Sequence, residues 1–389
     1  MLAERNQFVP ASEIRRIYNM ILGRDDVIDL TVGIPDFDTP QHIKQAAKQA
    51  IDDGFTKYTH NAGFIDVRQV FADKLKRDNG IDADPVSEIM ATAGGMGALV
   101  LANLVLVEPG DEVIYPDPGF VSHYAHVKLA EGKAIPLQLK KENGFGVTAE
   151  GVSKLVTDKT KMLVLNSPNN PTGGVISNEE LKKIAELAIE KDFYILSDEA
   201  YEKFRYDNEK PLFIGSLPGM KERVVSLFSL SKSYAMTGWR IGICTGPSEV
   251  IGAMTKLQEH VIAMPTSISQ KAAAAAVEGS QDCVKEMLDT FKERRDIMVK
   301  GLQQIEGVDL QPPGGAFYVF PDVSAFGMET FELVMRILNE VNVATVHGSA
   351  FGHFGEGFLR LCYAMSTESI EKALQRLDTF LPKLLRKSK

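Results

Sequence analysis

Cysteine is scarce in this chain: three occur among 389 residues, at positions 244, 283 and 362. An odd, widely spaced set offers neither a disulfide framework nor a thiolate metal cluster, and it fits a reducing compartment. Long apolar runs are also missing. The greasiest stretch, 98–107, contains Asn103 and falls far short of the roughly 20 residues that span a bilayer. The opening MLAERNQ has no apolar core of the kind a signal peptide needs. Positive charge is not in excess: 43 Lys and Arg stand against 52 Asp and Glu, a net charge of −9. That balance argues against nucleic acid or an anionic membrane as a partner. The basic terminus, 383–389, is read as a solvated helix end whose cations suit the helix dipole. The sequence shows no internal repeat and no low-complexity linker. The expectation is a cytoplasmic protein with small-molecule partners.

What is present is ordinary globular composition, 44% hydrophobic and 24% charged, in a chain long enough for two or three domains. Residues 12–22 carry Ile14, Ile17, Tyr18 and Ile21 on one helical face. A strand over 27–32 and the turn GIPDFDTP (33–40) follow. Thr39 is the expected cap and Pro40 the first residue of a helix ending near 52. From residue 88 onward, short apolar strands alternate with helices. Strands are expected at 89–93, 112–115, 133–139, 161–165, 193–196, 224–228 and 241–245. Helices are expected over 97–107, 120–130 and 179–191. Such alternation gives a mainly parallel seven-stranded sheet covered on both faces. After an alanine-rich helical region (272–276) the pattern changes near 285. It becomes helix, strand 316–320, helix 329–340, strands 343–346 and 358–363, and helix 367–385. The fold class is therefore α/β, with a large domain over 46–285 and a smaller α+β domain over 286–389. Residues 1–45 are expected to pack with the smaller domain.

Open α/β sheets bind ligands at the carboxyl ends of their strands, so those ends are where chemistry is sought. The first gives AGGMG (93–97), small residues whose N–H groups can approach an anion at a helix start. The others give YPDPGF (115–120) with the ring of Phe120, NSPNNPTG (166–173) with an amide at Asn170, and SDEAY (197–201) with Asp198 and Tyr201. The sixth leads into SLSKSYAMTGWRIG (229–242), where Lys232 lies among small and apolar residues and Arg240 follows eight positions later. A desolvated amine loses proton affinity and becomes a nucleophile toward carbonyls. Each feature alone has a structural alternative: a tight turn, a core ring, a turn Asn, a snorkelling lysine. Five at one sheet edge are far less readily coincidence. An amine, an acid, a ring, an amide and an anion cradle are what pyridoxal phosphate requires.

The chain resembles fold-type I pyridoxal-phosphate aminotransferases of the class I/II group over essentially its whole length. The resemblance rests on Ser231, Lys232 and the GWRIG run (238–242), on NPTG (170–173), and on Ser197, Asp198, Glu199 and Tyr201. It implies that Lys232 is the Schiff-base lysine and shuttles the proton at the substrate Cα. Asp198 would keep the ring nitrogen protonated, Asn170 and Tyr201 would bond the ring oxygen, and Phe120 would stack on the ring. Gly95, Met96, Ser229 and Arg240 would hold the phosphate, with Met96 contributing its backbone N–H because its side chain is not polar. In GEGFLRLCY (355–363), Arg360 would grip the substrate α-carboxylate through its planar fork. Gly33 would contact the same carboxylate and Ile34 would face the substrate. Tyr58 would reach a phosphate across the interface of a homodimer. His347 stands where a proline is frequent in this family.

The resemblance implies amino transfer between an L-amino acid and a 2-oxo acid. The sequence is closest in pattern to a bacterial and archaeal subgroup with aromatic and N-acetyl-diaminopimelate aminotransferases. Ile34, Phe120, Tyr18 and Phe317 are the candidates for an apolar side-chain pocket, which favours aromatic donors with 2-oxoglutarate as acceptor. Acetylated diaminopimelate, or C–S lyase chemistry on the same cofactor, are the alternatives. A pyridoxal-phosphate-binding regulator without turnover usually adds a DNA-binding domain. A nucleotide-binding module would leave Lys232 and Asp198 unexplained. The loose dinucleotide-like run GFGVTA (144–149) follows charged residues rather than a strand and is read as a turn. His123 and His126 lack a further ligand, and no metal site is expected.

Overall fold

The computed structural model describes residues 2, 4–206 and 209–387. Residues 388 and 389 of the basic terminus, and Met1 and Ala3, lie outside the described residues. The chain opens with α1 (Glu13–Ile21), whose Ser12 cap accepts from the Arg15 N–H, and with the two-residue strand β1 (Ile28–Asp29). Helices α2 (Gln41–Asp52) and α3 (Ile65–Lys74) follow. Next come β2 (Ile89–Thr92), α4 (Gly94–Leu106), β3 (Glu112–Asp117), α5 (Val121–Leu129) and β4 (Lys133–Gln138). The run continues with α6 (Ala149–Ser153), β5 (Thr160–Asn166), α7 (Asn178–Lys191), β6 (Tyr194–Asp198) and β7 (Val224–Ser229). The single turn α8 (Leu230–Ser233) precedes β8 (Gly242–Thr245), α9 (Ser248–Val261), α10 (Ser267–Glu278) and α11 (Asp282–Gln303). The last elements are β9 (Tyr318–Val319), α12 (Thr330–Val341), β10 (Val343–Ala344), β11 (Val346–His347), β12 (Leu359–Cys362) and α13 (Thr367–Lys387).

The seven-stranded sheet runs β2-β8-β7-β6-β5-β3-β4, and β8 alone is antiparallel to its neighbours. Its central strands are largely apolar and buried on both faces, as strands covered by helices must be. Cross-strand register aligns Asn166 with Asp198 and Asp198 with Leu227, so the ends of β5, β6 and β7 lie side by side. A second, three-stranded sheet runs β11-β12-β9, and β1 pairs in parallel with β10. The β1–β10 pairing joins the N-terminal segment to the C-terminal region. Aromatic packing consolidates this junction: Phe291 of α11 lies 5.2 Å from the rings of both Phe204 and Phe317 and 5.6 Å from Phe37.

Several expectations shift. β1 is two residues long rather than spanning 27–32, and α4 starts at Gly94, not at 97. Thr39 does not cap α2; the cap position is Pro40, without a side-chain bond. The Thr39 hydroxyl instead donates to the Ala235 carbonyl at 2.6 Å and accepts from the Trp239 indole at 3.0 Å. That tethers the N-terminal segment to the lysine loop. The boundaries expected at 45 and 285 both fall inside continuous helices, α2 and α11.

Truncating Phe291 removes a fully buried ring from this cluster. Phe291→Ala is expected to cost about 3–5 kcal/mol, read as a lowered denaturant midpoint with unchanged m-value.

Candidate active site

The carboxyl edge of the large sheet opens into a cleft of about 580 Å³. Gly33, Ile34, Gly95, Met96, Phe120, Asn170, Asp198, Tyr201, Ser229, Ser231, Lys232, Arg240 and Arg360 all line it. Tyr18, on the inner face of α1, lines it as well. One expected pocket residue does not. Phe317 is wholly buried in the aromatic cluster, and its neighbour Tyr318 takes the cleft position. Tyr58, expected to reach a neighbour's phosphate across a dimer interface, is 88% exposed and does not line this chain's own cleft.

Asp198 ends β6 with its carboxylate buried. Its Oδ1 accepts the Ala200 N–H at 3.1 Å and its Oδ2 lies 3.2 Å from Nε2 of buried His123. Burial of a carboxylate in such a wall is costly without partners. His123 therefore supports the acid, and it also meets Phe120 edge-on at 5.6 Å. From the sequence, His123 reads as a satisfied or exposed histidine rather than a metal ligand, without a role at the site. Its position one turn into α5, over the same sheet edge as Asp198, is the signal that was available.

The anion cradle is built by two elements. The N-terminus of α4 has no side-chain cap, so its first N–H groups are free to receive a ligand. Gly94 has φ +67°, and a Cβ there would lie 2.8 Å from Arg240 Nη2. Glycine at that position lets the guanidinium settle against the helix start. Arg240 keeps its orientation by donating to the Thr237 carbonyl at 3.0 Å. Ser229 caps α8 by accepting the Ser231 N–H, placing both hydroxyl residues on this edge.

Lys232 projects from α8, and its Nζ donates to the Gly33 carbonyl at 2.5 Å. Burial pulls its pKa down to about 8; the guanidiniums of Arg360 and Arg240 push the same way, and the nearby Cys362 thiol opposes them. Tyr201 shares a 2.8 Å hydroxyl contact with Tyr318, and burial raises its pKa well above the ordinary phenol value. A Cβ on Gly33 would meet the Tyr318 hydroxyl at 1.8 Å. That close approach is the physical reason for glycine beside the lysine.

Arg360, on β12, is 2% exposed. Its Nη1 donates to Asn170 Oδ1 at 2.9 Å and its Nη2 donates to the Thr31 carbonyl. Its plane is held between Tyr318 and Phe351 at 4.5 and 4.7 Å. Its Nε has no partner, and among the described residues no carboxylate lies within ion-pair distance. Asn170 is itself fixed by its N–H to Asn166 Oδ1, and Asn166 bonds the Asp198 carbonyl. A buried guanidinium without a counter-ion is a seat for an anionic ligand.

A helix-end cradle with a guanidinium, an uncharged-leaning amine, a buried acid and a second guanidinium define a site for a phosphorylated aldehyde cofactor and a carboxylate substrate. The profile of the family described as Aminotransferase class I and II matches residues 25–377, and the chain belongs to that family. It is 42% identical over 98% of its length to an aspartate aminotransferase of Pyrococcus abyssi and covers 98% of that protein. It is 40% identical, with the same two coverages, to aromatic-amino-acid aminotransferase 2 of Thermococcus litoralis. The solved aspartate aminotransferase of Thermus thermophilus with maleate superposes with a TM-score of 0.93, at 37% identity, over 97% of this chain and 99% of that one. The protein is a pyridoxal-phosphate-dependent transaminase acting on amino acids and 2-oxo acids. The residues fit that cofactor: the open helix end and Arg240 suit its phosphate, and Lys232 suits its aldehyde.

Only the neutral amine attacks an aldehyde. The rate at which cofactor-free protein takes up pyridoxal phosphate is therefore expected to rise with pH, with a midpoint near 8. Stopped-flow absorbance between pH 6 and 10 measures it; a pH-independent rate would contradict the assignment of Lys232.

Proposed function

We propose that this transaminase takes aromatic L-amino acids as donors and 2-oxoglutarate as acceptor. The observation that carries this reading is the apolar outer wall of the cleft around an unpaired buried guanidinium. Ile34, half exposed at 49%, lies with Ile14, Tyr18, Met96 and Phe120 on the cleft surface, while Arg360 waits at the base. Arg360 grips the α-carboxylate with Asn170 behind it and Gly33 alongside. Pyridoxal phosphate supplies a carbonyl for the amino group and a ring that accepts electrons from the broken Cα–H bond. Lys232 anchors it, then carries the proton at the substrate Cα. Asp198, backed by His123, holds negative charge toward the ring nitrogen. Tyr201 and Asn170 would bond the ring oxygen, and Phe120 would stack on the ring. The α4 N–H groups of Gly95 and Met96, with Ser229, Ser231 and Arg240, hold the phosphate.

Arg15, exposed at the mouth and 5.8 Å from the Tyr18 ring centroid, favours a second reading in which the donor carries a distal carboxylate, such as acetylated LL-diaminopimelate. The same arginine suits the second carboxylate of 2-oxoglutarate. The exposed Tyr58 supports a homodimer in which its hydroxyl completes the neighbour's phosphate site. Three free thiols support a reducing, cytoplasmic setting. The division into an N-terminal segment, a large domain and a small domain belongs to the same proposal, its boundaries moved to helix ends.

Purified enzyme mixed with single amino acids is expected to lose the absorbance of its aldehyde form with phenylalanine and tyrosine faster than with aspartate. No conversion with either aromatic acid overturns the donor assignment, and conversion only with acetylated diaminopimelate establishes the second reading. Lys232→Ala is expected to lower the half-reaction rate by roughly 10²–10⁴; a rate equal to wild type overturns the mechanism.

A further inference from the structure

Asp117 ends β3 with 1% exposure. Its two carboxylate oxygens accept successive backbone N–H groups, Oδ2 from His353 and Oδ1 from Phe354, each at 3.0 Å. Both donors sit in the short turn after Gly352. A Cβ on Gly352, where φ is +135°, would lie 2.1 Å from Asp117 Oδ1. Two residues beyond Asp117, the Gly119 N–H donates to the Phe351 carbonyl at 2.8 Å. The end of β3 is thus stitched at two points to the segment between β11 and β12. Each side of the stitch leads to one wall of the cleft. Three residues after Asp117 stands Phe120, and on the other side Phe351 packs on the Arg360 guanidinium at 4.7 Å.

We infer that Asp117 is a positioning residue whose carboxylate fixes the separation between the Phe120 wall and the Phe351–Arg360 stack. The inference rests on the reading of Arg360 as the carboxylate seat. A carboxylate suits the task because it accepts two N–H bonds side by side, whereas an amide accepts one and turns its own N–H₂ toward the other donor. Burial raises the Asp117 pKa, and the two N–H groups partly offset this. His353 in the same turn and Tyr115 on β3 are its titratable neighbours.

The test uses holoenzyme and 3-phenylpropionate, an aromatic carboxylate with no amino group, with binding measured by calorimetry. Asp117→Asn is expected to weaken the probe roughly tenfold at unchanged melting temperature, the scale of one lost bond to a charged group. Affinity falls on the acid side in both proteins as the probe's own carboxylate takes up a proton, and the fall is expected to be steeper in wild type, where Asp117 takes one up as well. Gly352→Ala is expected to cause a similar loss, and to add less in an Asp117→Ala background than it does alone. Wild-type affinity together with an equally steep acid limb in Asp117→Asn overturns the positioning role. Additive effects of Gly352→Ala and Asp117→Ala overturn it as well. Arg360→Lys separates the two levels. If it leaves the probe's affinity unchanged, the site reading fails and this inference with it. If it weakens the probe while Asp117→Asn does not, only the positioning role falls.

Discussion

Uncompensated positive charge at one edge of a parallel sheet is the constraint on which the rest depends. Lys232, Arg240 and Arg360 line one cleft, and among the described residues none of them has a carboxylate within ion-pair distance. The one acid at their level, Asp198, is occupied by His123 and a backbone N–H. Burial, with the two guanidiniums adding to it, lowers the proton affinity of the most compliant cation, the lysine, because a guanidinium holds its proton far more tightly. The same field favours a ligand carrying a phosphate and a carboxylate. The two guanidiniums thus add to the reactivity that burial gives Lys232 and also favour a doubly anionic pair.

Much of this was legible in the sequence because the large sheet is regular. Its central strands are largely apolar and end in small, polar or aromatic residues, so the edge could be read strand by strand. Where the reading missed, the pattern carried no phase. In the AFYVF run (316–320) both faces are buried, so alternation could not tell that Tyr318 rather than Phe317 lines the cleft. His123 was ambiguous for another reason: a histidine on a helix face reveals its role only through the strand that meets it. The boundary expected near 285 lies inside α11, which runs unbroken across it. Thr39 followed the local rule for a cap, but a tertiary contact with Ala235 and Trp239 claimed its hydroxyl first.

The small sheet and the N-terminal segment contribute by closing the cleft rather than by supplying its charge chemistry alone. β1 delivers Thr31 and Gly33 beside Arg360 and Lys232, and pairing with β10 keeps that delivery in register with the C-terminal strands. Glycine at 33 allows the Tyr318 hydroxyl to press against the backbone whose carbonyl holds the amine. The wall that meets the substrate is thus shaped by residues remote from one another in the chain but joined by backbone pairing.

One strand of the large sheet runs against the others, and its direction matters. Because β8 returns antiparallel to β7, with Gly242 opposite Ser229, the chain between them never leaves the carboxyl edge. A parallel β8 would have required a crossover and carried Arg240 to the far side. Reversal instead makes a single short excursion hold both the nucleophile and the phosphate clamp. The two grips on the cofactor are therefore parts of one rigid handle, and any shift that moved one would carry the other with it.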